Sequence, residues 1–405
     1  MTALHKPTGW VLALACAGFL GLLFRLDFAV RGEEQFALLA HSFLCGRLAF
    51  TEPPGGTWED TTPFAGAHYW PLGPAPALVL LPWQFLVEGG GVLFHQGWLQ
   101  PFLVLGVMGA VFGTARQTGF GREDAGWLAF GFAFGTAFLG VALWPWSWYF
   151  SQVLACGLLW LAIWEMAGKR RPWVLGALFA LVLATRATAA LGLAWCAGEV
   201  LRSRGSPREK MMALAKLAAP CVAVAALLGW YNFARFGNPF EQGYSTQIVP
   251  AHAAAARDLG ILSLRHLPGN LYRLVLAGPL PVRSPGAPTV LAFPFVAADP
   301  WGMSLWTTSP WLAALFFVKR WDATGRGLLA TAGLIALPLL LYYGVGYRQF
   351  GYRYALDFLP LLVFALMRGI RGTEGGLTAR MKTALLLTAV ANLWLFAGHF
   401  LWGFQ

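Results

Sequence analysis

The chain has 405 residues, of which 58% are hydrophobic and 12% are charged, and its formal net charge is +11. Its mean hydropathy of +0.58 excludes a soluble globular domain, because most of the chain must then lie in lipid. In a membrane protein the sidedness of Lys and Arg is the first explanation of a positive charge, so no nucleic-acid partner is expected. We therefore expect an all-α polytopic membrane protein.

Apolar runs follow one another along the chain, and most are close to the ~20 residues that span a bilayer as helix. They predict about ten to twelve transmembrane helices in a single integral membrane domain, residues 1–405. The runs lie near 10–27, 92–115, 125–143, 149–168, 173–199, 212–232, 304–318, 327–345, 353–369 and 382–402. No cleavage pattern follows the first run, which favours a retained signal anchor. Either the run 73–91 dips without crossing or the run after it is divided near Pro101, and 173–199 must go out and return.

The basic loops predict the orientation of these helices, because short cytoplasmic loops are rich in Lys and Arg. With the N-terminus inside, the inner segments are 116–124, 169–172, 201–211, 319–326 and 368–382. The outer face then consists of a first outer loop with an interfacial helix, a tryptophan-rich turn, a long outer loop and a short late segment. These are residues 28–75, 144–150, 233–303 and 347–353.

The first outer loop opens with two adjacent carboxylates, Glu33 and Glu34, in "RGEEQFALLAHSFLCGRLAF". On a 3.6-residue helix the apolar side chains that follow form one stripe, opposite Glu34 and His41, which is typical of a helix lying on the membrane. The stripe contains Phe36, Leu39, Ala40 and Phe43. Glu34 would then face the outer loops and Glu33 their edge. Alternatively, the two carboxylates only complement a helix dipole, which contributes about 0.3 to 1 kcal/mol each.

The next segment, "TWEDTTPFAGAHYWPLGPAPALVLLP", brings Asp60, His68 and Tyr69 to a proline-rich membrane entry. The order of anchor helix, outer carboxylate, "ALLAHSFLCGRL" and "HYWPLGPAPALVLLP" resembles the GT-C class of membrane glycosyltransferases, which contains the protein mannosyltransferases and the lipid A aminoarabinose transferase. The segments "GALFALVLATRATAALGL", "NFARFGNPFEQGY" and "QFGYRYALDFLP" extend the resemblance over nearly the full length. The class usually has Asp-Glu where this chain has Glu33-Glu34.

The resemblance implies an inverting transfer of a sugar from a polyprenyl phosphate carrier to a glycan, lipid or protein acceptor. It also implies a site on the outer side of a bacterial cytoplasmic membrane. A carboxylate serves as general base in such chemistry. We expect Glu34 to be the base, with Glu33 as its register alternative and Asp60 as a second carboxylate.

Three arginines are the expected ligands of the donor phosphate, because the planar guanidinium pairs bidentately with phosphate and stays charged. Arg186 lies midway through an apolar run, where an arginine costs about 2.5 to 3.5 kcal/mol and usually marks a site. For Arg348 and Arg353 the alternative is snorkelling at helix ends or pairing with Asp357. His68 and Tyr69 are further candidates for substrate binding, although interfacial residues of these types are common.

No cofactor beyond the lipid-linked donor is implied. The histidines show no paired ligand spacing, and the sequence contains no Asp-x-Asp cluster and no phosphate-binding GxxxxGK[ST], so a divalent metal is not evident. Two other functions remain open. A transporter or flippase of lipid-linked sugar should show related halves and polar groups at mid-membrane depth. A catalytically inactive GT-C-like subunit is compatible with the altered acidic pair.

Overall fold

A computed structural model describes residues 6–29 and 32–403, most of which are helical. The α-helices are α1 (Lys6–Ala29), α2 (Gln35–Leu44), α3 (Ala75–Glu88), α4 (Gln96–Gln117), α5 (Arg122–Phe134), α6 (Phe138–Ala142), α7 (Ser147–Ala167), α8 (Pro172–Leu183), α9 (Leu193–Arg202), α10 (Pro207–Phe236), α11 (Ala251–Asp258), α12 (Leu267–Val275), α13 (Leu305–Thr308), α14 (Ala323–Leu341), α15 (Leu359–Thr373) and α16 (Ala379–Phe396). The prediction of an all-α integral membrane protein is confirmed.

Six helical stretches in the described part of the chain are long and apolar enough to cross a membrane. They are Gly9–Ala29, Gln96–Gln117, Ser147–Ala167, Pro207–Phe236, Ala323–Leu341 and Ala379–Leu401. This is fewer than the ten to twelve expected, because several apolar runs are divided into shorter pieces. The run 173–199 contains α8, a break and a short 3-10 turn before α9, and the run 304–318 contains only α13 and a 3-10 turn, Pro310–Phe317.

The expected amphipathic helix is α2, but protein rather than lipid covers its apolar stripe. Phe36, Leu39 and Ala40 have no exposed surface, because α2 packs beside α3 and under the side chains of Trp70 and Phe150. These residues form a small hydrophobic core of their own, next to a larger core shared by the long helices. The helix that follows the two carboxylates is therefore held in place by side-chain packing.

Three two-stranded sheets join the loops. β1 (Thr62–Phe64) and β2 (Ala67–Tyr69) form one antiparallel hairpin, and β3 (Leu280–Ser284) and β4 (Ala287–Ala297) form another. The third sheet is parallel and pairs β5 (Trp301–Met303) with β6 (Gln349–Gly351). This last pairing connects the long loop 233–303 to the late segment 347–353, which the sequence places on the same side.

Several of the segments predicted to lie inside also meet each other. Lys382 Nζ lies 2.8 Å from Glu123 Oε1 and 2.9 Å from Asp124 Oδ1, and Arg368 forms an ion pair with Asp322. These contacts bring together the segments 116–124, 319–326 and 368–382. Three of the five predicted inner segments thus lie together.

Candidate functional site

A cavity of about 740 Å³ lies where the four predicted outer segments meet. Its wall combines three carboxylates, two arginines and many aromatic side chains. The charged residues are Glu33, Glu59, Asp60, Arg348 and Arg353, and the aromatic residues are Trp146, Trp148, Tyr149, His252, Trp301, Tyr342, Tyr343, Tyr347 and Tyr354. The volume is in the range typical of small-molecule sites, which favours a polar ligand that is held between aromatic surfaces.

Glu33 is fixed at the cavity wall through its backbone. Its carbonyl oxygen accepts hydrogen bonds from Ser147 N (3.0 Å), Ser147 Oγ (2.9 Å) and Gln96 Nε2 (3.1 Å). The preceding residue is Gly32, where a Cβ atom would lie 3.1 Å from Nε1 of Trp146. The local sequence and two distant helix N-termini together set the position of this carboxylate.

Glu34 points away from the cavity. It is the N-cap residue of α2, it is 6% exposed, and its Oε2 lies 2.5 Å from Nδ1 of His95. The two carboxylates therefore occupy the reverse of their expected positions, with Glu33 in the cavity wall and Glu34 buried beside α4. The reason is that α2 begins only at Gln35, so a helical projection does not apply to residue 33.

Asp60 reaches the cavity from a strained turn. Its φ is +63°, a conformation that short polar side chains tolerate better than most. Its N–H donates to Ile248 O (2.7 Å), and Gln247 Nε2 donates to its carbonyl (3.0 Å). Trp148 Nε1 donates to Oδ2 of the carboxylate (3.1 Å). The long outer loop thus holds the turn, and an indole N–H orients the side chain.

Two of the three cavity carboxylates, Glu33 and Asp60, have raised pKa values. Burial raises the pKa of Glu33 to about 7, and repulsion from Asp60 adds to this effect, while the positive charge of Arg353 opposes it. Burial also raises the pKa of Asp60 to about 6, although the hydrogen bond from Trp148 lowers it. Raised pKa values of this kind are typical of functional sites. A carboxylate with a pKa near 7 can accept a proton at neutral pH and remain a strong enough base to matter.

Arg353 is a buried cation with free donors. It is 6% exposed, and neither its Nε nor its Nη1 has a hydrogen-bond partner among the described residues. Its guanidinium lies 4.8 Å from the ring centre of Tyr354 and 5.6 Å from that of Tyr149. Arg348 is exposed at the same cavity, and its carbonyl accepts from the Tyr149 hydroxyl. Arg348 and Arg353 therefore place two positive charges at the cavity wall.

Arg186 has a protein partner. Its Nε donates to Asp357 Oδ1 (2.6 Å) and its Nη2 to Oδ2 (3.0 Å), and the Thr188 hydroxyl donates to the same carboxylate. The bidentate geometry predicted for phosphate is thus occupied by Asp357, which does not form an ion pair with Arg353. Arg186 lines a second cavity of about 340 Å³ that shares a wall with the first one. The shared wall consists of Trp148, Tyr342 and Tyr354.

His68 and Tyr69 lie on β2, and neither is among the described residues that line the two cavities. His68 Nδ1 lies 2.9 Å from Thr61 Oγ1, and the imidazole stacks on Trp58 with ring centres 4.0 Å apart. Burial lowers the pKa of His68. Because Thr61 follows Asp60 directly, these contacts support the turn that carries the carboxylate.

Several residues of the site were missed at the level of sequence. The tryptophan-rich turn was predicted only as part of the outer face and not as site residues, yet Trp146, Trp148 and Tyr149 line the cavity. Its position in a predicted outer segment was the available signal.

The ligand atoms of His41, Cys45 and Glu88 lie within 4.8 Å of one another, and the i, i+4 spacing of the first two was the signal for this group. That group lies apart from the cavity lining.

Comparisons with known proteins give two structural similarities. No family model matches the sequence, and no curated protein matches it. The apo crystal structure of the Archaeoglobus fulgidus oligosaccharyltransferase is similar over 98% of this chain, with 15% identity and a TM-score of 0.39. The oligosaccharyltransferase AglB from the same organism, in complex with an inhibitory peptide and a dolichol-phosphate, is similar over 96%, with 13% identity and a TM-score of 0.40. The matches span 55% of each of those chains.

Proposed function

We propose that this chain is a membrane glycosyltransferase of the GT-C type, which moves a sugar from a polyprenyl phosphate carrier to an acceptor on the extracytoplasmic side. One observation carries the proposal. Glu33, with a pKa of about 7, lines the same cavity as the cationic side chains of Arg348 and Arg353. A proton acceptor and an anion site in one cavity are the two groups that transfer from a phosphate leaving group requires.

In the proposed reaction, Glu33 takes the proton from an acceptor hydroxyl as the oxygen attacks the anomeric carbon of the donor. The bond from that carbon to the phosphate oxygen breaks, the configuration inverts, and the polyprenyl phosphate leaves with the electron pair. Arg353 and Arg348 stabilise the negative charge that develops on the phosphate, because the guanidinium fork matches its oxygens. Asp60, held by Trp148, is placed to hydrogen-bond the sugar or the acceptor.

The test is transfer from polyprenyl phosphate sugars by the purified chain in phospholipid vesicles, with Glu33→Gln, Glu34→Gln and Asp60→Asn compared at equal abundance. Removing a positioned base costs about 10² to 10⁴ in rate, so Glu33→Gln should lose that much while still binding the donor. Glu34→Gln should lose much less, because its side chain faces His95. Rates close to wild type for Glu33→Gln would contradict the role of Glu33, whereas no transfer by the wild-type chain would favour a transporter or an inactive subunit.

A further inference from the structure

The β3–β4 hairpin, residues 280–297, is an apolar projection of the long outer loop. Its sequence, "LPVRSPGAPTVLAFPFVA", contains one charged residue, Arg283. Large apolar side chains on it are about half exposed: Leu280 (44%), Val290 (55%), Leu291 (46%), Phe293 (51%) and Phe295 (52%). A two-stranded hairpin is at best marginally stable in water, and such a display of apolar surface marks an interaction site.

The base of the hairpin packs on the end of a membrane-spanning helix. Phe293 contacts the rings of Trp394 and Trp402, with ring centres 5.5 and 5.2 Å apart. Trp394 Nε1 donates to Pro294 O (3.2 Å), and Ala298 N donates to Leu395 O (3.3 Å). Trp394 lies in α16, within the spanning stretch Ala379–Leu401. The apolar surface of the hairpin is therefore continuous with that of a helix that crosses the bilayer.

From this continuity we infer that the hairpin is a membrane-binding element that lies in the lipid interface of the leaflet nearest the 740 Å³ cavity. Trp394 and Trp402 are 39% and 43% exposed at its base, and tryptophan is enriched at the membrane–water interface. Its single charge, on Arg283, is positive and suits anionic headgroups. The inference does not depend on the proposed glycosyl transfer.

The backbone limits how deep the hairpin lies. Among the described strands, β3 and β4 pair only with each other, so each has one edge that no other strand pairs with. Open sheet edges do not occur within the hydrocarbon region, because no water is there to bond them. The hairpin must consequently sit at the headgroup and glycerol level, with its side chains directed toward the acyl chains, as interfacial helices do.

The depth of a fluorescent label tests this inference. In the full-length chain in phospholipid vesicles, with the five native cysteines replaced, an NBD group is attached to Val290→Cys or, as the matched control, to Ser245→Cys. Ser245 is exposed and lies in the same long loop. We expect the label at position 290 to emit at shorter wavelength, to be quenched by lipids with a shallow nitroxide, and to be shielded from iodide. The label at position 245 should show the opposite pattern.

Equal iodide quenching at both positions would overturn the inference. Shielding of position 290 from both quenchers would also overturn it, since that result means that a second copy of the chain or another protein covers the hairpin. A second measurement keeps the native cysteines: the native chain is exposed to a photoactivatable phospholipid whose reactive group is near the glycerol. Adducts within 280–297 are expected, and adducts confined to the spanning helices would contradict the hairpin's contact with lipid.

Discussion

Glu33 shows how distant residues determine the chemistry of one side chain. Its carbonyl is held by Gln96 and Ser147, which are 63 and 114 residues away in sequence. These contacts place its carboxylate in the cavity, where burial and the charge of Asp60 raise its pKa. Neighbouring Glu34 lies outside that lining, beside His95. The two adjacent glutamates therefore have different surroundings, although they are chemically identical.

The pH dependence of transfer follows from the pKa of Glu33. A base acts only when ionised, so the rate should rise with pH through about 7. Glu59 lines the same cavity, and its charge also raises the pKa of Glu33. In Glu59→Gln the midpoint of the profile should move to lower pH, because one repulsive charge is removed. Initial rates across neutral pH give the profiles of the wild-type chain and of Glu59→Gln. An unshifted midpoint in Glu59→Gln would contradict the electrostatic explanation.

The ionisation of Glu33 should also affect stability, but in the opposite direction: the rate rises with pH, whereas the stability falls. The native state binds the Glu33 proton more tightly than the unfolded chain does, so the contribution of Glu33 to stability is greatest at low pH and falls as the pH rises from about 4.5 towards about 7. Glu33→Gln cannot ionise and should remove this part of the decline. Thermal unfolding of both forms over this pH range measures the difference, and it requires no activity.

Four of the five charged residues in the cavity wall were predicted from the sequence, but the directions of the side chains were not. Glu33, Asp60, Arg348 and Arg353 were all predicted as site residues, and all four line one cavity. Arg186 was predicted from the cost of an arginine in an apolar run, and its partner Asp357 lies 171 residues away. A single sequence shows that such a charge needs a partner but not whether the partner is a ligand or a carboxylate of the protein.

At the scale of elements, the Arg186–Asp357 pair joins the break after α8 to the 3-10 turn that precedes α15. Both side chains are largely buried. Arg186→Met should lower the free energy of unfolding by about 3 to 5 kcal/mol, because it leaves a buried carboxylate without its counter-charge. Asp357→Leu in the same chain should restore much of the loss, since replacing both partners removes the unpaired charge. Thermal unfolding in detergent compares the stability of the wild-type chain, of Arg186→Met and of the variant that carries both substitutions.

Arg171→Met is the matched control for this prediction. Arg171 also forms a two-pronged pair, with Glu165, but its side chain is 46% exposed. Exposed ion pairs contribute little to stability, so this substitution should leave the unfolding temperature nearly unchanged. If both arginine variants lose the same stability, burial of the Arg186 pair is not the cause.

For the whole molecule, the distribution of basic loops predicts which loops lie on the same side of the membrane. Single cysteines at Arg204, Glu374 and Ser245 would all be exposed on the protein surface, so their labelling reports sidedness and not burial. Because short basic loops stay inside, an impermeant reagent added to intact cells should label position 245 and not positions 204 or 374. Labelling of 204 or 374 from outside would overturn the orientation.

The shared outer cavity also has a consequence for the order in which the protein forms. Tyr149 and Arg348, which hydrogen-bond at the cavity, are 199 residues apart, and the N-terminal part of a chain is synthesised first. Contacts between such distant residues are slow to form. A nascent chain that ends after α14 already contains five of the six spanning stretches, but it has neither Arg348 nor Arg353. Until the last segments emerge from the ribosome, the wall around the carboxylates lacks both of its arginines.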